Sequence, residues 1–352
     1  MRAVNLFLLF LTAPLIGMVL ALTCIPAPFE TRAQAVLIPT AGLEARLAAA
    51  EEKAARLEER AGLFHASAEE QQRAYEEQKK ILAALAGKSG QQKKLSDDIY
   101  EQRILDWLGP ATAVHRSSRV EIKIFPLKGI GYRGYIAKIK QYDPRAVRVV
   151  LGEGRYGGSE TTAEAVARTG AIFGVNGGGF AKGTLDGRPA ILPMGNTMID
   201  GELVNDFAPS HSDLYFAGLT RTGDLVGGIY FSEKDLMRSK AYQGVSFVPI
   251  LIQKGKPLPI PKKWQNQRQP RTLIGEYANG DLIFIVVDGR QADWSSGVTL
   301  EELQSKLIDF GVKDAYNLDG GGSSAFVFKG KLLNRPSDGK QRPVPTNFVV
   351  MP

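Results

Sequence analysis

Polar residues and glycines cluster at three points where apolar runs end. The three segments are Asn176–Phe180, Asp288–Arg290 and Asn317–Ser324. Each places a carboxylate or carboxamide beside glycines, which adopt backbone angles closed to other residues and let main-chain N–H groups approach a ligand. Because a rigid sheet presents side chains at its strand ends, these segments predict one polar cleft. Asp-Gly and Asn-Gly are also ordinary hairpin turns, so turn geometry is the alternative for any single segment.

Residue types exclude several common site chemistries. Cys24 is the single cysteine and lies in the N-terminal apolar run, which excludes an internal disulfide, a thiolate zinc site and a catalytic cysteine in the folded part. A serine nucleophile at Ser323 or Ser324 lacks a G-x-S-x-G elbow, and only His115 and His211 lie in that domain. No Gly-Lys-Ser/Thr follows the glycines, which excludes a P-loop. Histidines are too few for a histidine metal centre, so no cofactor is certain and Ca²⁺, held by Asp and Asn oxygens, stays open.

The elements that position these segments are short strands. Alternation over Val120–Phe125 predicts a half-buried strand. Further strands are predicted at Gly134–Lys140, Val147–Leu151, Ile172–Val175, Tyr215–Leu219, Gly227–Phe231, Val245–Ile252, Leu282–Val287, Ala315–Leu318, Ala325–Lys329 and Asn347–Val350. Helices are predicted at Thr161–Thr169 and Thr299–Phe310, each with a Thr cap and Glu in its first turn. Residues 106–352 therefore predict an α+β domain with a mixed, mostly antiparallel sheet and few helices, and Pro257–Pro270 predicts an exposed basic loop.

Residues 1–35 predict export. No side chain is charged from Ala3 to Ile25, and these 23 residues at helical rise would span a hydrocarbon core of ~30 Å. We expect residues 3–25 to be a signal anchor in a bacterial inner membrane, with the rest of the chain facing the periplasm. Ala33-Gln34-Ala35 has the small-x-small pattern of a signal-peptidase site, so a protein cleaved after Ala35 and released is the alternative.

A coiled-coil stalk is predicted over residues 36–105. Steps of four and three from Leu43 to Leu85 give thirteen seam positions, of which ten are aliphatic, Ala or Phe, so a heptad register is maintained. Such a stalk predicts a homo-oligomer through residues 43–85. A single amphipathic helix folded back on the C-terminal domain is the alternative, because the seam contains few Ile and Val residues.

The net charge separates the stalk from the domain. Residues 1–105 contain 13 basic and 13 acidic side chains, so the whole net charge of +7 falls on residues 106–352. A basic exported domain favours an anionic ligand, such as a phosphodiester, an acidic polysaccharide or a lipid headgroup. Solubility alone is the alternative explanation. No nucleic-acid-binding motif accompanies the charge, so nucleic acid is not an expected partner.

Six segments occur in an order that resembles the phosphodiester glycosidase family. They are Asn176–Phe180, Arg271–Gly275, Val286–Arg290, Gly297–Leu300, Asn317–Ser324 and Arg342–Asn347. The resemblance covers about residues 115–352, and Asn317-Leu-Asp-Gly-Gly-Gly-Ser-Ser324 is its most specific part. Bacterial relatives in this family are often described as exopolysaccharide-related. The family therefore implies the class of reaction more firmly than the substrate.

The resemblance implies hydrolysis of a sugar 1-phosphodiester through an oxocarbenium-like state, with negative charge growing on the departing phosphate. It implies Asp319 or Asp288 as the catalytic carboxylate and Arg271 and Arg290 as partners of the phosphate oxygens. The other implied substrate-binding residues are Asn176, Asn317, Ser323, Gly177, Gly178, Gly321 and Gly322. Ser324 and Arg335 are implied as second-tier residues of the same site. Structural interpretations stay open: Arg271 as an ion-pair partner of Asp288, and Asp319 as a turn cap or Ca²⁺ ligand.

Two classes of function follow from these observations. The first is an exported, envelope-anchored glycosidase that hydrolyses sugar 1-phosphodiester linkages of a surface glycan or glycolipid. The second is a noncatalytic glycan-binding or exopolysaccharide assembly factor on the same fold. The set of carboxylate, arginine and asparagine residues favours the first.

Overall fold

The structure is a computed structural model that describes residues 52–53, 98–211 and 213–352. The predicted anchor at 3–25, the cleavage site after Ala35 and the predicted stalk at 43–85 lie outside the described residues, apart from two stalk positions. Among the described residues, no helix is long and apolar enough to cross a membrane. The chain divides into two compact units, Met1–Gly87 and Lys88–Pro352. The second unit contains the candidate site.

The second unit is built mainly from strands, as predicted. Its described α-helices are α1 (98–108), α2 (Thr162–Thr169), α3 (Glu233–Arg238) and α4 (Leu300–Asp309). Its strands are β1 (Ala113–Arg116), β2 (Val120–Gly129), β3 (Tyr132–Gln141), β4 (Val147–Leu151), β5 (Phe173–Asn176), β6 (Phe180–Leu185), β7 (Arg188–Pro193), β8 (Met198–Ile199), β9 (Glu202–Leu203), β10 (Tyr215–Thr220), β11 (Leu225–Gly228), β12 (Ala241–Phe247), β13 (Ile250–Gln253), β14 (Lys256–Pro257), β15 (Arg271–Tyr277), β16 (Leu282–Val287), β17 (Val312–Leu318), β18 (Phe326–Phe328), β19 (Lys331–Leu332) and β20 (Thr346–Val350).

The strands form antiparallel sheets. The largest has eight strands in the order β1-β2-β3-β16-β15-β17-β13-β14, and two five-stranded sheets have the orders β11-β10-β12-β8-β9 and β19-β18-β5-β20-β4. Strands β6 and β7 form a separate hairpin. The paired strands run antiparallel, for example β15 with β16 and β17. The predicted fold class is therefore confirmed for the described part of the chain.

Both faces of the eight-stranded sheet are covered by hydrophobic cores. On β16, Phe284 and Val286 pack with residues of the five-stranded sheets, including Phe173. Ile283 and Ile285 belong to a second core with residues of α1 and α4. A strand buried on both faces has no polar side, which explains the uninterrupted apolar run of β16.

The two helices predicted from capping patterns are present. Thr161 and Glu164 form a reciprocal capping box at the start of α2, and Thr299 and Glu302 form one at the start of α4. Each pair satisfies two backbone N–H groups that the first helical turn leaves without partners. Helix α2 ends at Gly170, whose φ of 70° is the left-handed conformation that favours glycine.

The predicted single strand Val245–Ile252 is wrong, because the structure forms β12 and β13 on either side of Val248-Pro249. Proline cannot donate a backbone hydrogen bond, so it interrupts the ladder. The predicted strand Gly227–Phe231 is also displaced, since β11 ends at Gly228. Pairing with β10 over Leu225–Gly228 sets that boundary.

The carboxamide of Asn176 joins two sheets where the glycine-rich segments meet. Asn176 ends β5, and its Oδ1 accepts hydrogen bonds from Thr272 Oγ1 on β15 at 2.8 Å and from the N–H of Ala325 at 3.2 Å. Its Nδ2 donates to the carbonyl oxygen of Asp319 at 2.6 Å. The side chain is fully buried, with 0% of its surface exposed. These three bonds fix the ends of β5, β15 and β17 relative to one another.

A cluster of lysines holds α1 against the eight-stranded sheet. The carboxylate of Glu101 on α1 lies 2.8 Å from Lys123 Nζ, 3.3 Å from Lys138 Nζ and 3.5 Å from Lys140 Nζ. Burial would raise the pKa of Glu101, but the hydrogen bond from Lys123 and the charges of the lysines outweigh it and lower the pKa to about 2. Lys138 is buried and also pairs with Asp281. Helix α1 therefore packs as part of this unit, with Ile104 in the core.

We expect Asn176→Ala to lower the free energy of unfolding by about 2–4 kcal/mol, because it leaves two buried donors and one buried carbonyl without partners. Thr272→Val removes one of these bonds and should cost about 1 kcal/mol. Urea denaturation of the full chain measures both. A loss from Asn176→Ala below about 0.5 kcal/mol, as for an ordinary surface substitution, contradicts the role assigned to this side chain.

We expect Glu101→Gln to destabilise the C-terminal unit by about 1–2 kcal/mol at neutral pH. Because the folded pKa of Glu101 lies below its ordinary value of 4.5, its contribution is complete above that value and is lost as the pH falls toward about 2. Urea denaturation at several pH values should show the difference from wild type shrinking in acid. Asp106→Asn, on the exposed side of the same helix, is the matched control and should change little; an equal loss there argues against the cluster.

Candidate active site

A cavity of about 400 Å³ opens where β12 and β17 end and β15 begins. Its lining residues are Phe247, Trp264, Gln267, Gln269, Pro270, Arg271, Arg290, Asp319, Gly320, Gly321, Gly322 and Arg342. Five of the residues predicted for the site are among them: Asp319, Arg271, Arg290, Gly321 and Gly322. The cavity thus brings one carboxylate together with three guanidinium groups.

Asp319 supplies the carboxylate. It follows β17 directly, and its backbone is held by Asn176 Nδ2 and by a hydrogen bond from its own N–H to the carbonyl of Gly177 at 3.1 Å. Burial raises the pKa of Asp319 to about 6, while a hydrogen bond from Ser323 and the charge of Arg342 partly oppose the rise. At neutral pH this group is an anion with an unusually high proton affinity. Such a group suits general-base catalysis or stabilisation of a cation.

Arg271 supplies a buried cation without a carboxylate partner. Only 5% of its surface is exposed, and its guanidinium donates to the carbonyls of Gln267 at 2.8 Å and Val298 at 3.5 Å. The pKa of Arg271 is lowered to about 10, mainly by burial; the charge of Glu301 opposes this decrease and the charge of Arg290 adds to it. Among the described residues Arg271 forms no ion pair, so the alternative of an Arg271–Asp288 pair is not realised. An unpaired buried guanidinium favours an anionic ligand.

Arg290 and Arg342 flank the glycine-rich turn at Gly321–Ser323. Arg290 adopts a φ of 60° and donates from Nε to Gln269 Oε1 at 2.7 Å. Arg342 lies 2.7 Å from the carboxylate of Asp338 and 3.5 Å from Ser323 Oγ. A Cβ atom on Gly322 would overlap both Asp338 and Arg342, and one on Gly321 would lie 3.3 Å from Arg290. These glycines therefore make room for guanidinium groups.

The reasoning from sequence missed Arg342, Trp264 and Phe247 as cavity residues. Arg342 begins the Arg342–Asn347 segment, one of the six on which the resemblance to the family rests. Trp264 lies in the predicted exposed loop Pro257–Pro270, but the structure half-buries it and joins its Nε1 to Asp213. The one signal that distinguishes Trp264 in that loop is an aromatic residue among Pro, Lys and Gln. The loop is therefore a wall of the cavity as well as an exposed segment.

Asp288 lies outside the cavity lining and is 1% exposed. Its carboxylate accepts hydrogen bonds from Trp294 Nε1 at 2.8 Å, Asn334 Nδ2 at 3.0 Å and the N–H of Arg335 at 2.9 Å. Burial raises the pKa of Asp288, and these hydrogen bonds partly oppose the rise. The Arg335 guanidinium is exposed and stacks on Trp294 at 3.8 Å from the ring centre. These contacts are those of a carboxylate that joins two loops.

Asn176, Gly177 and Gly178 also lie outside the lining. Gly177 and Gly178 donate their N–H groups to the carbonyl and Oγ1 of Thr346, at 2.9 Å and 3.1 Å. A Cβ atom on Gly177 would lie 2.5 Å from Thr346 Oγ1, and one on Gly178 would lie 2.6 Å from the carbonyl of Ser246. The structure thus uses these glycines for close packing of strands, and not for approach to a ligand.

The remaining predicted residues, Asn317, Ser323 and Ser324, are buried and lie outside the cavity lining. Asn317 donates from Nδ2 to the carbonyl of Val248 at 2.7 Å, while its Oδ1 is buried without a partner in the described part. Ser323 and Ser324 are each 1% exposed, and neither His115 nor His211 lines the cavity.

Among the described residues, no group of three or more His, Cys, Asp or Glu side chains is placed to hold a metal ion. The site is thus a pocket of one carboxylate and several arginines.

Comparisons with known proteins agree on one family. The family model for phosphodiester glycosidase matches residues 169–351, which include the whole cavity lining. N-acetylglucosamine-1-phosphodiester alpha-N-acetylglucosaminidase of Mus musculus is 28% identical over 256 residues, covering 66% of this chain and 47% of that protein. The Bos taurus protein of the same name is 30% identical over 195 residues, 50% of this chain and 35% of that protein. The chain thus spans less than half the length of these relatives.

A shorter match and a solved structure extend the comparison. The SPbeta prophage-derived uncharacterized protein YomE of Bacillus subtilis is 40% identical over 85 residues, 24% of this chain and 13% of that protein. The structure of the zebrafish N-acetylglucosamine-1-phosphodiester alpha-N-acetylglucosaminidase catalytic domain, auto-inhibited by its pro-peptide, superposes with a TM-score of 0.54 at 25% identity. It covers 69% of this chain and 87% of that chain. This chain belongs to the phosphodiester glycosidase family.

Proposed function

We propose that this protein is an exported hydrolase that cleaves sugar 1-phosphodiester linkages of a surface glycan or glycolipid and releases the free sugar. The observation that carries the proposal is the meeting of Asp319 with Arg271, Arg290 and Arg342 around one cavity. Membership of the family and the relatives' names support the class of reaction. The apolar run at 3–25 supports export.

The chemistry begins with the bond between the anomeric carbon and the phosphate oxygen. As this bond breaks, its electron pair stays on the phosphate, and positive charge develops at the anomeric carbon. Arg271, Arg290 and Arg342 are placed to hold the phosphate oxygens by charge-assisted hydrogen bonds, which strengthen as negative charge grows. The products are a phosphomonoester and a sugar whose anomeric oxygen comes from water.

Asp319 acts at the anomeric carbon and on the attacking water. Its carboxylate stabilises the sugar cation and takes a proton from the attacking water, so the water oxygen bonds to the anomeric carbon. A phosphomonoester is a leaving group of low proton affinity, so the reaction does not demand a strong general acid. One carboxylate is therefore sufficient, which agrees with Asp319 being the one carboxylate among the lining residues.

The remaining lining residues suit a sugar ring. Phe247 and Trp264 provide aromatic surface, and Gln267 and Gln269 provide carboxamides. Aromatic and amide groups together are typical of pockets that orient a small polar ligand. We assign them to the sugar and the arginines to the phosphate.

We expect Asp319→Asn to reduce kcat/KM on a sugar 1-phosphodiester by about 10³-fold or more, because it removes the base and the negative charge. Since the pKa of Asp319 is about 6, wild-type activity should fall as the pH drops below that value. The residual activity of Asp319→Asn should not show this acid limb. Release of free sugar by the full chain measures both.

Stability separates this role from a structural one. The raised pKa means that the charged form of Asp319 costs folding free energy above about pH 6, and this cost disappears in acid. Asp319→Asn should therefore melt at or above the wild-type temperature at neutral pH. Asp288→Asn should instead lower the melting temperature and retain turnover in the folded protein, because a carboxamide has one accepting oxygen and cannot keep the three hydrogen bonds that the Asp288 carboxylate accepts. Full turnover by Asp319→Asn would contradict the catalytic role of Asp319. Binding of anionic glycans without turnover by the wild type would favour the noncatalytic assembly factor.

We expect Arg342→Ala to reduce kcat/KM by about 10²-fold or more, since it removes one charge-assisted donor from the departing phosphate. Arg342→Lys keeps the positive charge but lacks the planar guanidinium group, so it should recover part of the lost kcat/KM. Arg335→Ala is the matched control, because Arg335 is exposed and lies outside the cavity lining. Equal losses in Arg342→Ala and Arg335→Ala would rule out a specific contact between Arg342 and the substrate.

A further inference from the structure

A second basic cleft lies at the other end of β12. It has a volume of about 250 Å³ and is lined by Pro144, Arg145, Val147, Arg148, Asp200, Thr220, Arg221, Tyr242 and Gln243. Tyr242 lies near the start of β12, whereas Phe247 at its end lines the candidate active site. The five residue steps of extended strand from Tyr242 to Phe247 span ~17 Å. The two sites share none of their lining residues.

Two guanidinium groups in this cleft are held in place without a carboxylate partner. Arg148 donates from Nε to the carbonyl of Arg145 at 3.0 Å. Arg221 lies over the ring of Tyr242, with its Cζ 4.6 Å from the ring centre. In the described part of the chain neither arginine forms an ion pair. A backbone carbonyl and an aromatic face orient these cations while leaving guanidinium N–H groups free for a ligand.

The floor of the cleft is fixed by a buried carboxamide. Gln243 is 4% exposed; its Oε1 accepts from the N–H of Val149 at 3.0 Å, and its Nε2 donates to Asp200 Oδ1 at 2.9 Å. Asp200 is the one carboxylate among the lining residues, and Arg145 pairs with Asp143 at 3.1 Å. Two unpaired arginines therefore face one carboxylate that already accepts a hydrogen bond, and the cleft carries excess positive charge.

We propose that this cleft is a second binding site, which holds a phosphate group or a similar tetrahedral oxyanion carried by an anionic glycan. Planar guanidinium groups match the oxygens of such an anion with two parallel hydrogen bonds. The net charge of +7 on the domain adds a long-range attraction for the same class of ligand. The cleft binds its ligand independently of any turnover at Asp319.

The test is calorimetric titration of the full chain with inorganic phosphate and with phosphorylated dextran. All variants are built on an Arg290→Ala/Arg342→Ala background, which removes two of the three arginines that line the candidate active site. Any binding that Arg271 retains there is common to all variants and cancels in the comparison. On this background, adding Arg148→Ala/Arg221→Ala should weaken binding about tenfold or more, because it removes two sets of charge-assisted donors. Adding Arg155→Ala/Arg238→Ala removes the same charge from exposed arginines that pair with Glu153 and Asp235. This control should bind within about twofold of the background.

Each outcome decides the proposal. Selective loss in Arg148→Ala/Arg221→Ala, with an unchanged circular dichroism spectrum, supports the site. Tighter binding of phosphorylated dextran than of inorganic phosphate, with unmodified dextran silent, identifies a glycan as the carrier; equal binding identifies a site for the isolated oxyanion. Equal losses in the test and control variants, or no binding on the background, overturn the proposal. Turnover is not part of this readout, so failure of the proposed function leaves the result unaffected.

Discussion

The carboxamide of Asn176 is the interaction on which the candidate site depends. It is fully buried and bonds to Thr272, Ala325 and the carbonyl of Asp319. A carboxamide suits this position because it accepts and donates at once, whereas a carboxylate would only accept. Asp319 stands at the end of a strand fixed in this way, so its carboxylate is presented by rigid backbone. The neighbouring glycines serve the same junction, since Gly177 and Gly178 leave room for Thr346 and Ser246.

Two aspartates in similar sequence contexts receive different environments. Both follow an apolar strand and precede glycine, and burial raises the pKa of each. The carboxylate of Asp288 accepts three hydrogen bonds from protein donors, whereas Asp319 lines a cavity beside arginines. A carboxylate saturated by protein donors has little capacity left for a substrate, and one that lines a cavity with a raised pKa can exchange a proton there. The two aspartates therefore differ in role because of the groups that surround each carboxylate, more than because of how deeply each is buried.

Local patterns predicted much of the fold, and long-range contacts set the rest. The capping pairs Thr161 with Glu164 and Thr299 with Glu302 are three residues apart, so the sequence alone predicts where α2 and α4 begin. The uninterrupted apolar run of β16 likewise indicates that this strand is buried. Strand β15 was missed because Arg271, Thr272 and Glu276 interrupt its hydrophobic pattern, yet all seven residues are buried. The resemblance to the family implied Asp319, Arg271 and Arg290 as site residues, and all three line the cavity. Arg342 and Trp264 also line it, although they come from segments distant in sequence. No spacing rule connects residues that meet only after the sheets pack.

The unpaired arginines are the feature that most strongly indicates an anionic ligand. A guanidinium buried without a carboxylate lowers the stability of the free protein, and the lowered pKa of Arg271 reflects the same loss of hydration. Arg155 and Arg238, which line neither the candidate active site nor the second cleft, pair with neighbouring carboxylates. Arg271, Arg148 and Arg221 do not, within the described residues, and each lies in a cavity. Because an incoming phosphate would supply the missing negative charge, the unpaired arginines at these two cavities favour binding of an anionic ligand over solubility alone as the explanation of the positive charge.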